Sequence, residues 1–151
     1  MRQATIADLE RIVPLFNEYR RFYGQRSSLG RARAFLAERI ARRESVILLV
    51  VATLHGSDGH DAALGFVQLY PVFSSVSTGR VWILNDLFVA PAARGRGVAT
   101  SLMRSARRFA RRTGAVRIEL ATAHDNSRAR RLYAALGYRE DTVFVRYELV
   151  P

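Results

Sequence analysis

A mixed α+β fold of six strands and four helices is what the sequence predicts, and three observations carry that expectation. Val46 to Thr53 is an almost unbroken apolar, β-branched run, suited to a strand buried on both faces. Successive strand-like stretches precede the central helix, which argues for α+β or mixed α/β rather than a doubly wound sheet. Finally, Val98, Leu102, Ala106, Phe109 and Ala110 form one helical stripe between Gly97 and Arg112.

The elements follow in order. Arg2 to Thr5 reads as a short strand, and Thr5 to Asp8 resembles a capping box with an acid at the positive helix end. Leu9, Ile12, Val13, Phe16 and Tyr19 then recur at helical spacing, with Pro14 expected to kink the helix and Gly24 to stop it. A second helix is expected from Ala32 to Arg43, burying Phe35, Leu36 and Ile40. After strand 46–53, His55 to Asp61 reads as a turn in which His55 and His60 are exposed loop residues. Ala63 to Tyr70 is a strand ended by Pro71, Ser74 to Gly79 a hairpin loop, and Arg80 to Val89 a strand ended by Pro91. Beyond the central helix, closed by Gly114, come a strand at Val116–Ala123, a helix at Ser127–Leu136 capped by Gly137, and a last strand at Thr142–Leu149.

The 151 residues suit one domain, 1–151, with no linker or repeat. Hydrophobic residues at 49% and charged residues at 25% exclude disorder. With no cysteine there is neither a disulfide scaffold nor a cysteine nucleophile, and three scattered histidines give no metal cluster. No run approaches the roughly 20 apolar residues of a membrane helix, and no secretory signal is visible, so a soluble, cytoplasmic protein is expected. The charge is unusual: all 24 basic residues are arginine, against 13 acids, for a net +11. Arginine forks match phosphate oxygens, so a phosphorylated ligand or nucleic acid is worth weighing against a merely solvated surface. Arg104, Arg107, Arg108, Arg111 and Arg112 lie off the apolar stripe of their helix and lack interleaved aromatics, which counts against nucleic acid.

The segment from Asn85 to Met103 carries the chemistry. A strand passes through Pro91 into a loop holding Gly95 and Gly97, and that loop opens onto an amphipathic helix. Backbone N–H groups of such a turn, with a helix N-terminus behind them, make a cradle for a pyrophosphate. It is neither a Walker A loop nor a dinucleotide fingerprint. Arg94, Gly95, Arg96, Gly97, Val98 and Ala99 match the R/Q-x-x-G-x-G/A signature of the GNAT superfamily of acetyl-CoA-dependent N-acetyltransferases. Asn126, Tyr133, Gly137 and Tyr138 resemble that family's N-x6-Y-x3-G-[FY] element. More narrowly, Gly65 to Tyr70 and Ile83 to Val89 resemble the spermidine/spermine acetyltransferase branch, with Asn85 where that branch carries a glutamate.

The resemblance implies a GNAT-like central mixed sheet of six to seven strands flanked by four helices, and direct attack of an amine on the thioester of acetyl-CoA. No acyl-enzyme is needed, so the missing cysteine is no obstacle. It implies that Leu87, Phe88 and Val89 offer backbone groups to the pantetheine arm, and that amides from Arg94 through Gly95, Arg96, Gly97, Val98 and Ala99 to Thr100 hold the pyrophosphate. Asn126, Arg130 and Tyr133 complete the cofactor side, with Tyr133 as proton donor to the departing thiolate; helical spacing sets Asn126 and Tyr133 on one side of their helix. On the acceptor side Asp86 is the first candidate for binding or proton relay, because a carboxylate buried in a central strand is costly without a task. Glu119, His124, Tyr70 and Asn85 are further candidates around the amine. The expected acceptor is a small, polyamine-like amine or a lysine or N-terminal amine of a peptide. A homodimer is expected, and no metal, membrane or nucleic acid. The alternatives are a non-catalytic CoA-binding sensor and an arginine-rich nucleic-acid binder.

Overall fold

The computed structural model describes residues 1–53, 61–145 and 147–151, so His55 and His60 lie outside the described residues. Two compact units emerge, Met1–Ala121 and Thr122–Pro151.

The first unit holds one sheet of five strands in the order β1-β2-β3-β4-β5. These are β1 (Arg2–Gln3), β2 (Val46–Thr53), β3 (Asp61–Ser74), β4 (Gly79–Val89) and β5 (Arg117–Leu120). The first four pair antiparallel and β5 joins β4 in parallel, so the sheet is mixed. Helices α1 (Leu9–Phe22) and α2 (Leu29–Ala41) cover one face, burying Ile12, Phe16 and Leu36 against Ile47, Leu49, Phe66 and Phe88. Helix α3 (Val98–Arg112) supplies Leu102, Met103, Ala106 and Phe109 to a second buried layer, with the Trp82 ring tilted against Phe109 at 5.1 Å. Each large side chain so removed from water contributes about 1.5–3 kcal/mol. The arginines of α3 are exposed, as its stripe implies.

Local polar contacts set the helix starts. Asp8 is fully buried, and its carboxylate accepts from the Thr5 N–H at 3.0 Å and pairs with Arg2 and Arg11. The Arg2 guanidinium holds its carboxyl below the ordinary range, while burial pulls the other way. Asn17 staples the α1–α2 connection: its side-chain amide donates to Ser27 Oγ at 2.9 Å and its oxygen accepts from the Ser28 N–H at 2.8 Å. Ser28 in turn caps α2, which therefore begins before Ala32.

Helix α1 includes Pro14, whose ring is exposed. Three expectations are corrected. Strand β3 continues through Pro71 because β2 pairs only as far as Leu69; beyond it β3 has a partner on one side, where a missing N–H is tolerated. Phe35 is half-exposed rather than buried, its ring stacked 5.6 Å from Phe16. The sheet has five strands, not six or seven: among the described residues of 142–149 no strand forms. There the Asp141 carboxylate accepts from the Val143 and Phe144 N–H groups, a local turn that competes with extension.

The second unit contains α4 (Ser127–Ala135). Asn126 caps it, accepting from the Ala129 N–H at 3.3 Å and donating to Thr122 Oγ1 at 3.1 Å.

Candidate active site

Strand β4 changes character at one residue. Up to Leu84 it is flanked by β3 and β5, with Leu84 opposite Leu120 as the last β5 pair. From Asn85 to Val89 its only strand partner among the described residues is β3, so backbone groups on the other edge are left to bind something else. At that point the register slips: Leu69 faces Leu84 but Gln68 faces Asp86, so Asn85 is an extra residue, a β-bulge. Trp82 lies against α3 while Phe88 lies against α1, although six residues of regular strand would put both on one face.

The bulge turns Asp86 inward beneath α1. It is only 3% exposed. Its Oδ1 accepts from the Asn85 side-chain amide at 2.9 Å, and the Tyr19 hydroxyl is shared between this carboxylate and the Asn85 backbone carbonyl oxygen, 3.3 Å away. Burial pushes the Asp86 carboxyl up to about 6, against the pull of the Tyr19 and Asn85 hydrogen bonds. Burial and the Asp86 charge together push the hydroxyls of Tyr19 and Tyr70 above the ordinary tyrosine range, so both remain proton donors. Asp86, Asn85 and Tyr70, three of the acceptor-side candidates, therefore belong to one cluster.

Tyr19 is the member that pattern reasoning missed. It sits in the apolar stripe of α1, stacked or edge-on to Phe16, Phe66 and Phe88, and nothing in its spacing separates it from a core aromatic. Glu119 does not join the cluster: it is exposed and bound by Arg117, 2.6 Å away. His124 lies in the second unit, where its backbone oxygen accepts from Arg130 at 3.2 Å.

Beyond Val89 the chain makes a single 3-10 turn, Pro91–Ala93, and enters the glycine loop. Gly95 and Gly97 have φ of +77° and +75°, and a Cβ on either would meet no protein atom within 4 Å. The space above them is thus open to a ligand that approaches the backbone. Gly97 caps α3, whose first internal bond runs from the Ser101 N–H to the Gly97 carbonyl, so the N–H groups of Val98, Ala99 and Thr100 precede the helical ladder. An anionic group fits here. The Arg94 side chain folds back instead, donating to the Val89 carbonyl oxygen at 3.1 Å and covering the Phe88 ring. Arg96 is exposed.

In the second unit Arg130 also reaches Glu140 at 3.2 Å, and Tyr133 is half-buried with its ring 6.0 Å from Tyr138. Among the described residues no group of three or more His, Asp or Glu could hold a metal ion, and no helix is long and apolar enough to cross a membrane.

Comparison with known proteins agrees with this geometry. The profile of the Acetyltransferase (GNAT) family matches residues 10–138. The chain is 48% identical over 147 residues to an uncharacterized N-acetyltransferase, YhfO, of Bacillus subtilis, covering 97% of this chain and 94% of that one. It is 32% identical over 108 residues to an aminoglycoside N(6')-acetyltransferase type 1 of Klebsiella aerogenes, covering 70% of this chain and 66% of the other. Among solved structures, that of a probable acetyltransferase has a TM-score of 0.90 and 47% identity, over 100% of this chain and 98% of that one.

Proposed function

The chain belongs to the GNAT family of acetyltransferases, and from that premise we propose that it moves the acetyl group of acetyl-CoA to a primary amine by direct attack, with Asp86 taking the amine's proton. One observation carries the proposal. The backbone edge that β4 leaves open begins at the same bulge that buries Asp86, and it leads straight to the glycine loop.

Acetyl-CoA, when bound, supplies the thioester carbonyl that the amine attacks. The open edge at Leu87, Phe88 and Val89, where the Arg94 side chain holds the Val89 carbonyl oxygen, suits an extended amide-bearing arm, which would pair with the remaining groups as a strand does. The amides of Val98, Ala99 and Thr100, with Gly95, Arg96 and Gly97 ahead of them, suit the pyrophosphate. Arg94 contributes by holding the loop against Val89. As a carboxylate, Asp86 attracts a protonated amine and can accept its proton directly or through one water, which the exposed Asn85 is placed to hold. Tyr133 is assigned the opposite transfer, giving its hydroxyl proton to the leaving thiolate, with Asn126 and Arg130 shaping its helix end.

A singly charged amine, small or peptide-borne, suits the acceptor side better than a polyamine. The cluster offers one buried carboxylate, and the chain's net charge of +11 repels a polycation. We read residues 1–151 as one transferase domain, since the family match runs from 10 to 138 across both units, and place it in the cytoplasm, where acetyl-CoA is made and used. A panel of amines with acetyl-CoA, read by released free thiol, tests the function. Turnover of a monoamine is expected. Tight acetyl-CoA binding with no turnover on any amine would replace the enzyme with a sensor.

A further inference from the structure

Gln68 has no role in anything described so far, yet it is fully buried and sits directly across β3–β4 from Asp86. Residues so opposed share a face of the sheet, with Cβ atoms about 5 Å apart. Its Nε2 donates to Ser45 Oγ at 2.9 Å, which turns Oε1 away from Ser45, and Oε1 is buried with no hydrogen-bond partner among the described residues. A buried acceptor without a donor has lost its hydration with nothing in return. The neighbour across the ladder is a carboxyl group, which has a donor to give only when protonated.

We propose that Gln68 is the positioning residue for the proton on Asp86: its Oε1 accepts the O–H of the neutral acid, and Ser45 fixes the amide in the orientation that does so. If Asp86 is the base proposed above, an N–H bond of the ammonium breaks and an O–H bond forms on Asp86. That O–H is held by Gln68 while the neutral amine attacks the thioester carbonyl. As the C–S bond breaks, the amine nitrogen loses its second proton to water and the thiolate takes the proton of Tyr133, which water then restores. The proton on Asp86 leaves to water past the exposed Asn85, restoring the carboxylate. The groups around Asp86 divide the labour. From α1, Tyr19 (with Tyr23 against it) and, from its own strand, Asn85 donate to or border the charged form. From β3, Tyr70 lies near the charge with Arg39 of α2 acting on it, and Gln68 presents a buried oxygen that no donor occupies among the described residues.

The test is direct titration of Asp86 by carboxyl 13C resonance in the intact chain, assigned with Asp86→Asn, alongside the pH dependence of kcat/KM. Gln68→Met removes the acceptor at similar volume and should lower the Asp86 titration midpoint by about half to one unit. Ser45→Ala frees the amide to offer Nε2 to the carboxylate and should lower it too, which keeps the test open if Gln68→Met fails to fold. A purely packing role for Gln68 would reduce stability and leave the midpoint in place. An unchanged or raised midpoint in Gln68→Met overturns the proposal, a rise showing that the amide presents Nε2 to Asp86. The two inferences fail separately. A lowered midpoint without a shifted acid limb of kcat/KM would leave Gln68 as the proton holder and remove Asp86 as the base.

Discussion

Asp86 carries opposite costs in folding and in function, and this separates its roles experimentally. Its folded midpoint, about 6, lies above the ordinary 3.8, so folding takes up a proton between those values. Stability therefore falls as pH rises from about 4 to about 6 and stays lower at neutrality. Asp86→Asn is nearly isosteric and should raise stability at pH 7 by about 1–3 kcal/mol, with little gain at pH 4, in thermal melts. The same substitution should cut kcat/KM for the best amine by roughly 10²-fold or more and leave acetyl-CoA affinity unchanged by calorimetry. Near-normal activity would make Asp86 a structural acid. Tyr133→Phe keeps the half-buried ring and removes only the hydroxyl. Turnover should drop roughly 10²-fold with binding intact, and a variant that turns over normally would remove Tyr133 as the acid.

At the scale of elements, the glycine loop and the start of α3 are one device. Gly97→Val places a β-branched residue at φ +75°, a left-handed conformation that costs an L residue about 1–2 kcal/mol, and sets its side chain in the open space above the loop. Both effects should weaken acetyl-CoA binding at least tenfold in calorimetry; wild-type affinity would move the pyrophosphate elsewhere. This device was readable from residues alone, because its glycines, its proline and the stripe of α3 are local signals. Strands β2 and β4 were readable for the same reason. Pro71 was misread because whether a proline ends a strand depends on how far the neighbouring strand extends, and that is not a local property. The stretch 142–149 was misread because alternation of apolar residues makes a strand possible, while only a ladder partner makes it form. Tyr19 and Gln68 escaped notice because a tyrosine in an apolar stripe and a glutamine in a strand look like packing until the opposite strand's register is known.

At the scale of the whole molecule, the apolar side chains of the C-terminal segment call for a cover. Val143, Phe144, Val145, Tyr147, Leu149 and Val150 are 74–91% exposed. A second copy covering it is the homodimer proposed here, and light scattering at micromolar concentration should give twice the 17.0 kDa chain mass. A monomeric mass rejects it. The bulge at Asn85 has a consequence of another kind, a matter of parity. Odd and even positions exchange sides of the sheet there, so a single inserted residue lets Trp82 and Leu84 serve one layer while Asp86 and Phe88 serve the other. Deleting Asn85 would remove the bulge and keep those sides, because Asp86 would then follow Leu84 directly and still face Gln68. Drawing Asn85 into the ladder opposite Gln68 would instead send the acid to the other layer and put Asn85 beneath Tyr19. The deletion should therefore keep Asp86 in place, and a carboxyl resonance still titrating near 6 checks it. In this strand the pairing partner carries information that spacing along the chain does not.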